Sequence, residues 1–213
     1  MRLRPKPWAE KEFTENPCFI QSPKNLQGRW QGLFANQNPI YLEIGCGKGR
    51  FIVETALANP NTNFLAMEKQ EQIICMALRR ARNTGPPPNL RLFCASAENL
   101  AELFAPNELS RIYINFCDPW RARGKWRKRR LTHRGFLATY EDIMQTPQVH
   151  FKTDDKNLFT FSLQEFEACD WQLTNHTTDL ANSQFKNNIM TEYEERFATE
   201  GKPICRLEAQ KTK

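Results

Sequence analysis

A chain of 213 residues, 40% hydrophobic and 25% charged, is long enough to bury the core of one domain and has an ordinary globular composition. No apolar run approaches the roughly 18 residues of a membrane span, and the basic start Met1–Trp8 leads into no apolar stretch, so no membrane partner and no secretory leader are expected and the compartment is read as cytoplasmic. The net charge of +6 is local: residues 121–134 hold eight Lys or Arg and no acid, and without them the chain would stand at −2.

Residues 1–30 mix charge, proline and scattered aromatics without a sustained period, and read as a partly ordered N-terminal extension to a domain over 31–213. Ile40–Ile44 is a β-branched, apolar strand ending in glycines. A helix follows over Arg50–Leu57, stopped by Asn59-Pro60, then a strand over Asn63–Glu68. The spacing of Ile73, Ile74, Ala77 and Leu78 predicts a helix over Gln70–Arg82, and three consecutive prolines require a loop at 84–88. Further strands are expected at Leu90–Cys94, Arg111–Phe116 and Gln148–Lys152, and helices at Ala97–Phe104, His133–Gln145 and Asn157–Ala168. Two late strands, Trp171–Thr178 and Pro203–Leu207, flank a polar stretch over 179–201. Alternating strands and helices predict an α/β, Rossmann-like, doubly wound and mostly parallel sheet, with the two late strands as an antiparallel edge pair.

Gly45, Gly47 and Gly49 lie between a strand and a helix, where small residues let a ligand lie against backbone. Arg50 stands where the dinucleotide fingerprint requires a third glycine, and Glu43 would repel a pyrophosphate, which argues against NAD. Glu68 ends the second strand about 20 residues beyond the glycines, the depth at which a carboxylate accepts from ribose hydroxyls. Glu43 suits a cationic amino-acid end. Together these point to S-adenosylmethionine. Ser96 lies at the depth of an adenine contact, or is a helix N-cap.

Asp118 follows an apolar strand and should emerge at the same sheet edge, unless Asp118-Pro119 is only a turn. The basic run begins three residues later. Arg121, Arg123, Lys125, Arg127, Lys128, Arg129 and Arg130 form either a phosphate-binding patch or a solvated face, and placement beside Asp118 favours nucleic acid. Trp126 within the run could stack on a base or fill a gap. Asp154 ends another apolar strand, and Thr191-Glu192-Tyr193-Glu194 is acidic within a basic chain. A carboxylate there could accept guanine N1–H and N2–H₂, whereas Thr191 could equally cap a short helix. None of the seven cysteines forms a Cys-x-x-Cys pair, so no metal site is expected and the thiols are read as reduced.

Glu43-Ile44-Gly45-Cys46-Gly47-Lys48-Gly49, Asn115–Trp120, Lys128-Arg129-Arg130-Leu131-Thr132, Phe151-Lys152-Thr153-Asp154 and Thr191–Glu194, in this order, resemble the bacterial tRNA (guanine-N7)-methyltransferases over roughly residues 30–208. The resemblance implies methyl transfer from S-adenosylmethionine to guanine N7 in the tRNA variable loop; monomer and homodimer both stay open. By matching positions it implies cofactor binding by Glu43 and Glu68, an active-site, catalytic place for Asp118, and substrate binding by Asp154, Thr191, Glu192, Tyr193 and Glu194; from the residues themselves Gly45, Gly47, Ser96 and Asp118 are also expected on the cofactor and Arg123 on the substrate. Ser96 and Ala122 depart from the pattern, which often has an acid and usually a lysine there. Two other readings are a methyltransferase for another RNA position, against which Trp120 argues, and a non-catalytic RNA-binding module, against which the intact loop argues.

Overall fold

The computed structural model describes residues 7–121 and 124–212, without the side chains of 124 and 125. Eight strands form one sheet: β1 (Phe19–Ile20), β2 (Ile40–Ile44), β3 (Asn63–Glu68), β4 (Leu90–Cys94), β5 (Arg111–Asn115), β6 (Gln148–Thr153), β7 (Gln172–Thr177) and β8 (Cys205–Gln210). Their order is β1-β4-β3-β2-β5-β6-β8-β7. All pairings are parallel except β6 with β8 and β7 with β8. The chain leaves β2 toward one edge and returns at β5 on its other side, so a crevice opens at the carboxyl ends of β2 and β5.

The helices are α1 (Ala9–Glu15), α2 (Arg50–Ala58), α3 (Glu71–Asn83), α4 (Leu100–Leu103), α5 (Arg134–Ile143), α6 (Lys156–Ala168) and α7 (Glu192–Thr199). Both sheet faces are buried at the centre, which is why β2 and β3 read as nearly continuous apolar runs. On β2, Ile40, Leu42 and Ile44 enter one core with α4, α5 and α6, and Tyr41 borders the other, formed with α2 and α3.

Three expectations shift. The helix expected over 97–104 is a 3₁₀ turn at Ala97–Asn99 followed by the single α-turn of α4. The last strand starts at Cys205 and runs to Gln210, because Cys205, Leu207 and Ala209 alternate inward beyond the point where polar residues hide the pattern. The polar stretch contains α7. Residues 7–33 include α1, β1 and two 3₁₀ turns, Pro23–Leu26 and Trp30–Leu33; Trp30 is fully buried, stacks on Phe104 and donates from Nε1 to the Leu103 carbonyl at 2.7 Å.

Candidate active site

The loop after β2 turns through three left-handed glycines, with φ of +76° at Gly45, +56° at Gly47 and +80° at Gly49. The amides of Gly45 and Cys46 both donate to the Met67 carbonyl, at 2.8 and 3.0 Å, which pins the loop to β3. Gly49 serves packing: a Cβ there would lie 2.6 Å from Ala77 Cβ, so its absence lets α2 start against α3. Gly45 and Gly47 differ, since a Cβ on either would meet nothing within 4 Å. That open backbone faces a cleft of about 660 Å³.

Glu68 closes the loop from β3. Its Oε2 accepts from Gly47 N at 3.3 Å and its Oε1 from Gln70 N at 3.1 Å. Glu43, on β2, is 2% exposed. Its Oε1 accepts from Asn115 Nδ2 on β5 at 2.9 Å, while its Oε2 is buried with no hydrogen-bond partner among the described residues. Burial pushes its carboxyl up to about 8, against the pull of the Asn115 hydrogen bond and the Lys152 ammonium. An orphaned buried carboxylate oxygen is costly unless a donor arrives. A cationic ligand end would supply that donor, so the site fits the amino-acid portion of S-adenosylmethionine.

Glu43, Gly45, Gly47, Glu68, Ser96, Asp118 and Arg129 all line this cleft, together with Thr191, Glu192 and Tyr193. Ser96 stands at the N-cap of the 3₁₀ turn but makes no side-chain cap bond. Asp118 accepts no side-chain hydrogen bond among the described residues, and it is flanked by left-handed Phe116 (φ +52°) and Trp120 (φ +46°). The two thiols of the cleft are held protonated: burial raises Cys46 well above its usual value and, with Asp118 nearby, takes Cys117 up to about 12. Neither is a thiolate nucleophile near neutral pH.

Thr191 caps α7. Its Oγ1 accepts from Glu194 N at 3.0 Å and Glu194 Oε2 accepts from Thr191 N at 3.5 Å, completing a capping box. Glu194 itself turns inward, 4% exposed, onto Lys152 Nζ at 3.0 Å, and also takes Asn188 Nδ2. Its carboxylate is fully engaged by protein and does not line the cleft. Asp154 is also absent from the cleft wall; the neighbouring Asp155 caps α6 through Leu158 N at 2.8 Å. The outward residues of α7 bridge to the other helices, Glu192 to Arg80 at 2.9 Å and Glu195 to Arg50. Tyr193 stacks on Phe116, ring centroids 6.0 Å apart. Sequence reading missed Asn115, Lys152 and Phe116; only the alternation of β5 and β6 hinted that Asn115 and Lys152 would share a sheet face with Glu43.

The basic run divides. Arg127, Lys128 and Arg129 are exposed in a 3₁₀ turn over Gly124–Arg129. Arg130 is 7% exposed, donates to the Pro119 carbonyl at 2.9 Å and lies over the Phe161 ring, so it holds the turn rather than facing solvent. Arg121 pairs with Asp155 at 2.6 Å. Arg123 and Ala122 lie outside the described residues, as does the Lys125 side chain. Among the described residues no helix is long and apolar enough to cross a membrane.

Residues 37–207 match a family model described as "Putative methyltransferase". The chain is 42% identical to a tRNA (guanine-N(7)-)-methyltransferase of Lysinibacillus sphaericus, over 99% of this chain and 98% of that one. It is 46% identical to the enzyme of the same name from Brevibacillus brevis, over 98% of each. Among solved structures, an antibiotic-related methyltransferase superposes with a TM-score of 0.65 at 18% identity, covering 86% of this chain and 93% of that one. The 16S rRNA methyltransferase KamB does so with a TM-score of 0.64 at 12% identity, covering 87% and 94%. These two likenesses show the shared class of fold. With the glycine loop, the orphaned Glu43 and the Asp118 strand end in one cleft, and with near-complete coverage by the relatives, this chain belongs to the tRNA (guanine-N(7)-)-methyltransferase family.

Proposed function

We propose that the chain methylates N7 of a guanine in the tRNA variable loop, with S-adenosylmethionine as donor. The observation that carries the reading is the continuity of the cleft: bare glycine backbone, the Glu43 and Glu68 carboxylates, Asp118 and Arg129 of the basic turn all line one space. Relatives named for this reaction, at 42–46% identity over nearly the whole chain, support the choice of atom. Bound S-adenosylmethionine supplies an electrophilic methyl group on a sulfonium.

Glu43 Oε2 receives the ammonium end, Glu68 the ribose hydroxyls, and the Ser96 side of the cleft the adenine. Guanine N7 carries an in-plane lone pair, so no residue has to remove a proton before attack. The chain's main contribution is to hold N7 in line, where orientation can supply several kcal/mol, about 7 or more in favourable cases. Asp118 stabilises the positive charge that the purine gains, as a cleft-lining carboxylate that accepts no hydrogen bond among the described residues. Thr191, Glu192 and Tyr193 hold the base, and Glu194 supports them from beneath through Lys152. Arg127, Lys128 and Arg129 take phosphates.

The test is incubation with methyl-labelled S-adenosylmethionine and unmodified tRNA, followed by digestion to nucleosides. Label in 7-methylguanosine is expected; label in any other nucleoside would assign another atom. Failure of the chain to bind the demethylated cofactor product would favour the non-catalytic RNA-binding reading.

A further inference from the structure

The segment after Asp118 sorts its side chains in two directions. Arg121 is tied to Asp155, and Arg130 is buried against Pro119 and Phe161. Both ends of the turn are therefore anchored to protein. Between them, Arg127 and Lys128 are exposed and have no carboxylate partner among the described residues. Trp120 lines the cleft in a left-handed conformation, which bulky residues rarely take. The Arg129 guanidinium lies 4.5 Å over its ring. Trp126 packs edge-on to Trp120, 5.8 Å between centroids at 84°. Trp126 nevertheless keeps 38% of its surface in solvent. An indole held in place by a second indole, left open, and followed in the chain by the exposed Arg127 and Lys128 is a poor core residue and a good surface for a flat ring carried on an anionic backbone.

We propose that Trp126 is a stacking platform for an unpaired nucleobase flanking the guanine in the cleft, with its ring fixed by Trp120, which Arg129 covers in turn. This rests on the reading of the chain as a tRNA methyltransferase. Loops of RNA are recognised by stacking on aromatic and guanidinium planes, because every base presents a π face. A guanine drawn into the cleft leaves its neighbour without a stacking partner. Trp126 replaces that partner, and the adjacent Arg127 and Lys128 meet the phosphates on either side.

The experiment measures equilibrium binding of a fluorescein-labelled, unmodified tRNA transcript to the full chain over a series of salt concentrations. Trp126→Ala should weaken binding about fivefold to a hundredfold, the range expected for one base–aromatic stack, with an unchanged salt slope. Trp126→Phe should recover most of the affinity. Arg127→Ala should instead lower the salt slope by about one unit. Wild-type affinity in Trp126→Ala, or no recovery in Trp126→Phe, overturns the proposal. So does a change of oligomeric state in Trp126→Ala, which would make the indole a contact between copies. If wild-type chain methylates tRNA and Trp126→Ala binds as tightly, the stacking role alone fails. If wild-type chain transfers no methyl group to tRNA, the underlying reading fails.

Discussion

Replacing Lys152 by Met isolates the contact that seats α7 over the cleft. Lys152 is 5% exposed and all three of its ammonium hydrogens are used: Asn188 Oδ1 at 2.7 Å, the Ile189 carbonyl at 2.9 Å and Glu194 Oε2 at 3.0 Å. Burial pulls its ammonium below the usual lysine range, and Glu194 opposes that pull. Lys152→Met leaves a buried Glu194 carboxylate unpaired, which costs about 3–5 kcal/mol. For a chain of this size that lowers Tm by roughly 6–20 °C. Circular-dichroism melts and urea titrations of the unliganded chain measure both values. Pairing Lys152→Met with Glu194→Gln removes the stranded charge and should restore more than half of the loss. Because α7 carries Thr191, Glu192 and Tyr193, methyl transfer should fall in Lys152→Met even well below its Tm. A loss under about 1 kcal/mol, or strictly additive effects in the double variant, would refute the inward role of Glu194.

Glu43 gives a pH signature. Its folded carboxyl sits near 8 against an ordinary value of 4.5, so the folded state binds the extra proton and stability declines as pH rises through that window. Glu43→Gln should flatten the decline in the unliganded chain, and wild-type affinity for S-adenosylmethionine should increase toward pH 8 as the carboxylate ionises; melting curves and calorimetric titration at stepped pH check both. Gly49→Ala should destabilise the fold more than Gly47→Ala: both positions are left-handed, at φ +80° and +56°, but only at Gly49 does a Cβ also clash with Ala77, at 2.6 Å, whereas Gly47→Ala carries the backbone strain alone and should in addition weaken cofactor binding. Asp118→Asn should lower kcat with saturating tRNA while leaving cofactor affinity nearly intact; full turnover would remove its charge-stabilising role.

The parallel core was legible because strands buried on both faces write themselves as short apolar runs, and β2 to β6 fall where those runs predict them. The cofactor side of the cleft was legible for a related reason. Glu43, Gly45, Glu68 and Asp118 are all strand-end residues of parallel strands, and the topology brings such ends to one edge. α7 fully buries no apolar side chain, only Glu194; its capping box and its ion pairs to Arg50, Arg80 and Lys152 hold it, and those partners are distant in the chain. A capping signal at Thr191 was visible, but which carboxylates would face the cleft was not. The same limit applies to the basic run. Consecutive Arg127, Lys128, Arg129 and Arg130 look equivalent in sequence, and only the 3₁₀ turn sends Arg130 inward. Likewise the strand-end acid of β6 was read at Asp154, while the next residue, Asp155, makes the cap and the ion pair.

Delivery of a methyl group to a guanine N7 in tRNA by this cleft leaves a chemical mark at the modified position. N7-methylated guanine loses its base after borohydride reduction, and aniline then breaks the strand there, whereas methylation at exocyclic amines leaves the strand intact. Treating end-labelled tRNA this way after incubation with the chain and S-adenosylmethionine reports atom and position together. Cleavage at one variable-loop guanine, dependent on cofactor and reduced in Asp118→Asn, is the predicted result. Methyl incorporation without such cleavage would contradict it.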